Sequence, residues 1–201
     1  MISAHARESF ERILHKAART RLARSPDAAC DMVPLGAYLS AAGDASPSPV
    51  ADTAGSASTG VDLAARHANV VVLTISGIDF RLLLLLHFDD DDATKSYFVG
   101  DDQDKSFREA FLEISNLCCG AINQALLGDF PDLGMSTPYV LSARCVPHLM
   151  QLKPNYLASW EIALDGGVRL AATLCVCAHA PLDFHAEVSE MQDSGGELEL
   201  F

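Results

Sequence analysis

Long apolar runs are missing from this chain. Nothing approaches the roughly 18 consecutive apolar residues that span a bilayer, and the run Leu82–Leu86 is only strand-sized before His87 and the aspartates at 89–92. Near the N-terminus Arg7, Glu8, Glu11, Arg12 and Lys16 break up any signal-like apolar region, so the expected location is the cytoplasm. Positive charge is scarce as well, with 14 Lys and Arg against 27 Asp and Glu. Residues 1–24 hold six Lys or Arg and two Glu, about +4, which leaves about −17 on the rest of a chain of formal charge −13. An acidic body repels nucleic acid and anionic lipid, so neither is an expected partner. The basic stretch reads most simply as a solvated helix face.

Catalytic and metal signatures are missing too. The six cysteines include no CxxC pair, which zinc ribbons and fingers use. Cys118 and Cys119 are adjacent on an expected helix, and Cys175 and Cys177 alternate on an expected strand. Reduced core thiols and no metal site are therefore the expectation. There is no GxSxG, no P-loop and no GxGxxG. His148, His179 and His185 fall on separate elements and form no constellation. Aromatics are 7% of the chain but apolar residues 49%, so a core of Leu, Val, Ile and Ala is expected in a chain long enough for one domain.

What is present divides into four stretches. Residues 1–25 include a basic amphipathic helix over 8–23, with Phe10, Ile13, Leu14, Ala17, Ala18 and Leu22 at helical spacing, Ser9 as the expected N-cap and Pro26 as the stop. Residues 26–68 shift to Ala, Ser, Gly, Pro and Asp; the low-complexity run 41–60 reads as an insertion or linker. The main domain is expected at 69–185, and an acidic tail at 186–201. Within that domain, 70–77 and 80–88 read as a hairpin around Gly77-Ile78-Asp79, the second strand apolar enough to be central. Asp89–Asp92 read as the acidic start of a helix. A helix is expected over 104–127, and strands over 139–146, 156–164 and 168–179. The expected fold class is α+β, a mostly antiparallel sheet layered with helices.

At about 100° per residue, the 104–127 helix places Phe107, Ala110, Phe111, Ile114, Leu117, Cys118, Ala121, Ile122 and Ala125 on one apolar face. Glu109, Glu113, Asn116, Gly120 and Asn123 line up opposite, within an arc of about 80° on the same geometry. Gly120 costs about 1 kcal/mol relative to Ala inside a helix, which suggests that something approaches the stripe closely.

Glu109-x3-Glu113-x2-Asn116, followed after twenty-one residues by Pro138, resembles the signature of the CheC/CheX/FliY family of response-regulator phosphatases. The Asn-x3-Gly continuation to Gly120 is similar to the family's, and the order of strand pair, helix and later strands over roughly 70–180 resembles the CheX arrangement. Glu109 stands where the family has Asp or Ser, and the spacing to Pro138 is one residue short. Only one copy of the motif is present, as in CheX.

The resemblance implies a phosphatase acting on the aspartyl-phosphate of a CheY-like response regulator. Asn116 would orient the attacking water and Glu113 would pair with the receiver's lysine, making these the catalytic residues. Glu109, Gly120 and Pro138 would contact the partner. The resemblance also implies no cofactor of the chain's own, since Mg²⁺ comes with the receiver, and a homodimer. An alternative stays open: flagellar switch proteins share a related fold without the catalytic pair, so the chain could be a non-catalytic interaction module.

Overall fold

The computed structural model describes residues 1–37, 63, 65–100 and 106–186. The low-complexity run at 41–60 and the acidic tail beyond Ala186 lie outside the described residues. The described elements run α1 (Ala4–Arg21), β1 (Cys30–Ala37), β2 (Asn69–Ser76), β3 (Phe80–Phe88), α2 (Asp92–Val99), α3 (Phe107–Leu126), β4 (Gly134–Met135) and β5 (Tyr139–Ser142). A 3-10 segment (Ala143–Leu152), β6 (Tyr156–Leu164) and β7 (Arg169–Ala178) follow. The strands form one antiparallel sheet ordered β1-β6-β7-β3-β2-β4, with β5 also pairing with β2. The fold is α+β, as expected.

The hairpin β2–β3 is the hub. Its register runs from Asn69 opposite Phe88 to Ser76 opposite Arg81. β3 is central, between β2 and β7, and Leu82, Leu84, Leu85 and Leu86 are buried, with Leu83 partly so, because both sheet faces are covered. Alternation sends Leu82, Leu84 and Leu86 to the main core with Phe10, Ile13 and Leu14 of α1 and Phe111, Cys118 and Ile122 of α3. Leu85 faces the other way, into a smaller core with Val70, Val72, Leu157 and Cys175 under Val146 and Leu149. Burying a side chain such as Ile122 or Phe111 stabilises by about 1.5–3 kcal/mol, so the helix carrying the polar stripe is held firmly from its inner side.

Three expectations are corrected. Ser3, not Ser9, caps α1: its Oγ accepts from the Ala6 N–H at 3.0 Å and donates to Asp183 Oδ1 at 2.6 Å. Ser9 is buried a turn further on, where its Oγ donates to the Phe184 carbonyl and accepts from the Ala186 N–H. The helix begins earlier because Ile2 bridges Leu182 and anchors the entry. Residues 30–37, inside the stretch read as insertion, form β1; pairing with β6 creates this strand, and Pro34 is tolerated on the edge where the register shifts. The strand expected over 139–146 stops at Ser142, whose Oγ accepts from the Arg144 N–H and starts the 3-10 segment that roofs the smaller core.

Asp91 caps α2, accepting from the Thr94 N–H at 2.7 Å; that bond holds its carboxyl below the usual range. The acidic run thus starts a helix, as its sequence suggests.

Candidate functional site

α3 begins after Ser106 with Glu109 in its first turn, where a carboxylate complements the helix dipole. Its inner face consists of Ala110, Phe111, Ser115, Cys118, Cys119, Ile122 and Leu126. Ser115 enters the core because its Oγ donates to the Phe111 carbonyl at 2.6 Å, leaving no unpaired hydroxyl. The centre of burial lies about 70° round the helix from the arc that apolar residues alone suggest. α1 and β2 both pack on α3, and the small side chains of Ser115, Cys118 and Cys119 let α1 approach.

The polar stripe stays outward despite this rotation. Glu109 and Glu113 are exposed, and Asn116, Gly120 and Asn123 are half-buried on its flank. Glu113 and Asn116, three residues apart, lie one turn apart on the same surface, within about 5–6 Å between Cβ atoms. A Cβ built on Gly120 meets no atom within 4 Å. The glycine is therefore not demanded by packing inside the chain. Gly77 is the contrast: a Cβ there would come within 2.8 Å of Asp132 Oδ2 and Leu133 Cδ2, whose side chains pack against its bare backbone.

Pro138 is placed by a different part of the fold. It is half-buried in the link from β4 to β5, pinned to β2 by Ser136, whose N–H donates to the Thr74 carbonyl and whose Oγ accepts from the Thr74 N–H, both at 2.9 Å. Its relation to the stripe runs through β4, which packs against α3. Glu109, Glu113, Asn116 and Gly120 thus share one surface of α3, whereas Pro138 lies three residues beyond β4, on the link to β5.

The cysteines do not offer a nucleophile. Burial pushes the Cys119 and Cys175 thiols up to about 12, and raises Cys118 as well, so all three stay protonated near neutral pH. Among the described residues no cluster of three or more His, Cys, Asp or Glu could hold a metal ion, and no helix is long and apolar enough to cross a membrane.

A second polar cluster, missed in the sequence, lies on the opposite sheet face. His87 Nε2 is 2.9 Å from Thr173 Oγ1, which is 2.8 Å from Ser159 Oγ. His67 Nδ1 is 2.9 Å from Asp89 Oδ2, and Arg66 and Arg169 both reach Glu161. Burial, and then the neighbouring His67, lower the His87 pKa to about 3, so near pH 7 it is the neutral imidazole with a single ring N–H. The available signal was its odd-numbered place beside Leu85, which turns it away from the main core.

No family model matches the chain, and no curated protein matches it. Solved structures similar to it include the chemotaxis protein CheX from Vibrio vulnificus, at 14% identity over 84% of this chain and 97% of that one, TM-score 0.49. A CheX–CheY–BeF3–Mg complex from Borrelia burgdorferi is similar at 12% identity over 84% and 96%, TM-score 0.49. The middle domain of FliM from Vibrio alginolyticus is similar at 9% identity over 84% and 89%, TM-score 0.43. Likeness at this level concerns fold alone and leaves open which residues act.

Proposed function

We propose that this chain hydrolyses the aspartyl-phosphate of a CheY-like receiver domain, with Asn116 and Glu113 as its catalytic residues. One observation carries the reading: Glu113, Asn116 and an unencumbered Gly120 face outward together on a helix whose opposite face is fixed in the core.

The reaction asks little covalent help of the enzyme. Water oxygen attacks phosphorus in line, the bond from phosphorus to the receiver's aspartyl oxygen breaks, and the products are a free carboxylate and inorganic phosphate carrying the water's protons. Positioning dominates such a displacement. The Asn116 amide accepts one hydrogen bond from the water and donates another toward the phosphoryl group, without titrating. Glu113 meets the receiver's lysine in a charge-assisted pair that fixes the docking angle. Mg²⁺ and that lysine belong to the receiver. Glu109 and Pro138 border the contact.

The test is phosphate release from a phosphorylated receiver of the same organism, with the wild type and with Asn116→Ala checked for intact folding. Acceleration by the wild type that falls about 100-fold in the variant is expected, the usual scale for removing one positioned polar group. Binding without acceleration would overturn the catalytic reading in favour of an interaction module.

A further inference from the structure

α3 carries more apolar surface than the core uses. Because burial centres on Phe111, Ser115, Cys118 and Ile122, Leu117 and Ala125 are turned toward solvent, with Ala121 half-buried against the main core between them. Leu117 is 49% exposed, although its spacing alone places it in the core. Ala125 is exposed, and Ala121 is only half-buried. A single exposed leucine on a surface needs no explanation. This one has a specific position: it directly follows Asn116, lies one turn beyond Glu113, and lies one turn before the open space over Gly120.

We infer that Leu117, with Ala121 and Ala125 beside it, is the apolar anchor of the receiver-docking surface, covered in the complex by an uncharged, apolar side chain of the receiver next to the cation that meets Glu113. This rests on the proposed function. The occupant follows from continuity, since side chains three or four apart on a helix are neighbours about 5–6 Å apart. Leu117 lies about 40° round the helix from Glu113 and one turn along, so a partner seated on Glu113 and Gly120 reaches it as well. The missing Cβ at Gly120 lets the partner come low enough to touch it. The arrangement has the form of a small interface, with an apolar centre that excludes water and acidic groups at the rim.

The experiment is steady-state phosphate release over a range of phosphorylated-receiver concentrations, comparing wild type, Leu117→Ser and Leu117→Met. Leu117→Ser should raise KM about tenfold, the scale for losing one buried apolar contact, and leave kcat unchanged. Leu117→Met should restore most of the affinity. Thermal unfolding of the serine variant should match the wild type, because the side chain is already half outside the core. An unchanged KM for Leu117→Ser, with an active wild type, overturns this inference and leaves the catalytic assignment standing. A wild type that accelerates no receiver removes the functional reading and this surface with it. Sedimentation of the protein without receiver provides the other control: a drop in oligomeric mass on Leu117→Ser would mean that a second copy covers the flank, and would overturn the inference too.

Discussion

Replacing Gly120 with alanine separates what the fold needs from what a partner needs. Inside a helix, glycine is less favourable than alanine by about 1 kcal/mol, because it loses more backbone freedom on folding. At Gly120 nothing lies within 4 Å of the added Cβ, so no steric cost offsets that gain. Gly120→Ala is therefore expected to stabilise the protein by about 0.5–1 kcal/mol, which raises the melting temperature by about 1–4 °C for a chain of this size. Phosphate release from the receiver should move the other way. A methyl group on the docking surface should slow release in proportion to how closely the receiver sits, and Gly120→Leu should slow it further while folding stays intact. The assays are thermal unfolding and receiver dephosphorylation on the same preparations. Full activity in a stabilised Gly120→Ala and in Gly120→Leu would refute the idea that the glycine clears a path for a partner. Loss of stability would refute the open geometry itself. Gly77→Ala serves as the opposite control, since its Cβ would press on Asp132, whose Oδ2 accepts from the Ile78 N–H at 2.6 Å.

Glu113→Gln removes the charge that would pair with the receiver's lysine but keeps the shape; a raised KM with a smaller change in kcat is expected, and equal loss in both from Glu113→Gln and Asn116→Ala would argue against distinct roles. His87 supplies a pH dependence. Its folded pKa of about 3 lies below the ordinary 6.5, so the unfolded chain binds the extra proton first. The stability it contributes is present above pH 6.5 and is lost as pH falls toward 3, by up to about 1.4 kcal/mol per unit. His87→Gln should flatten urea-unfolding stability between pH 6.5 and 4 relative to wild type, and parallel profiles would count against a neutral buried imidazole. Ser3→Ala should cost about 1 kcal/mol through loss of the helix cap, read as a lower urea midpoint at unchanged slope.

The parts of the fold that could be read in the sequence are those set by local pattern. The β2–β3 hairpin follows from two apolar runs around Gly77, and the Asp91 cap from an acidic cluster before a helix. β1 could not be read this way. Cys30-Asp31-Met32-Val33-Pro34 has no strand alternation, and the strand exists because β6 offers a hydrogen-bonding edge. Likewise 139–146 has strand-like composition throughout. The uncovered Val70, Val72, Leu85 and Leu157 take Val146 and Leu149 as a roof instead, which requires the chain to leave the sheet at Ser142. In both places tertiary packing overrides local preference.

The candidate site shows the same division. Which residues share the outer arc of α3 follows from helical geometry, so Glu109, Glu113, Asn116 and Gly120 could be placed together without coordinates. How far the helix is rolled about its axis could not, because apolar count treats Ser115 as surface and Leu117 as core. The packed helix reverses both: Ser115 is buried with its hydroxyl paired to its own helix backbone, and Leu117 swings out beside Glu113. A roll of about 70° could have buried the polar stripe or left it facing solvent. It leaves Glu113 at the outermost position, puts Asn116 at the margin where its backbone is braced by the core, and turns an apolar side chain out beside Glu113, on the side away from Asn116. On the proposed function, an amide that orients one water benefits from that placement, since a residue anchored at the edge of a packed core would have fewer orientations to lose when a receiver docked.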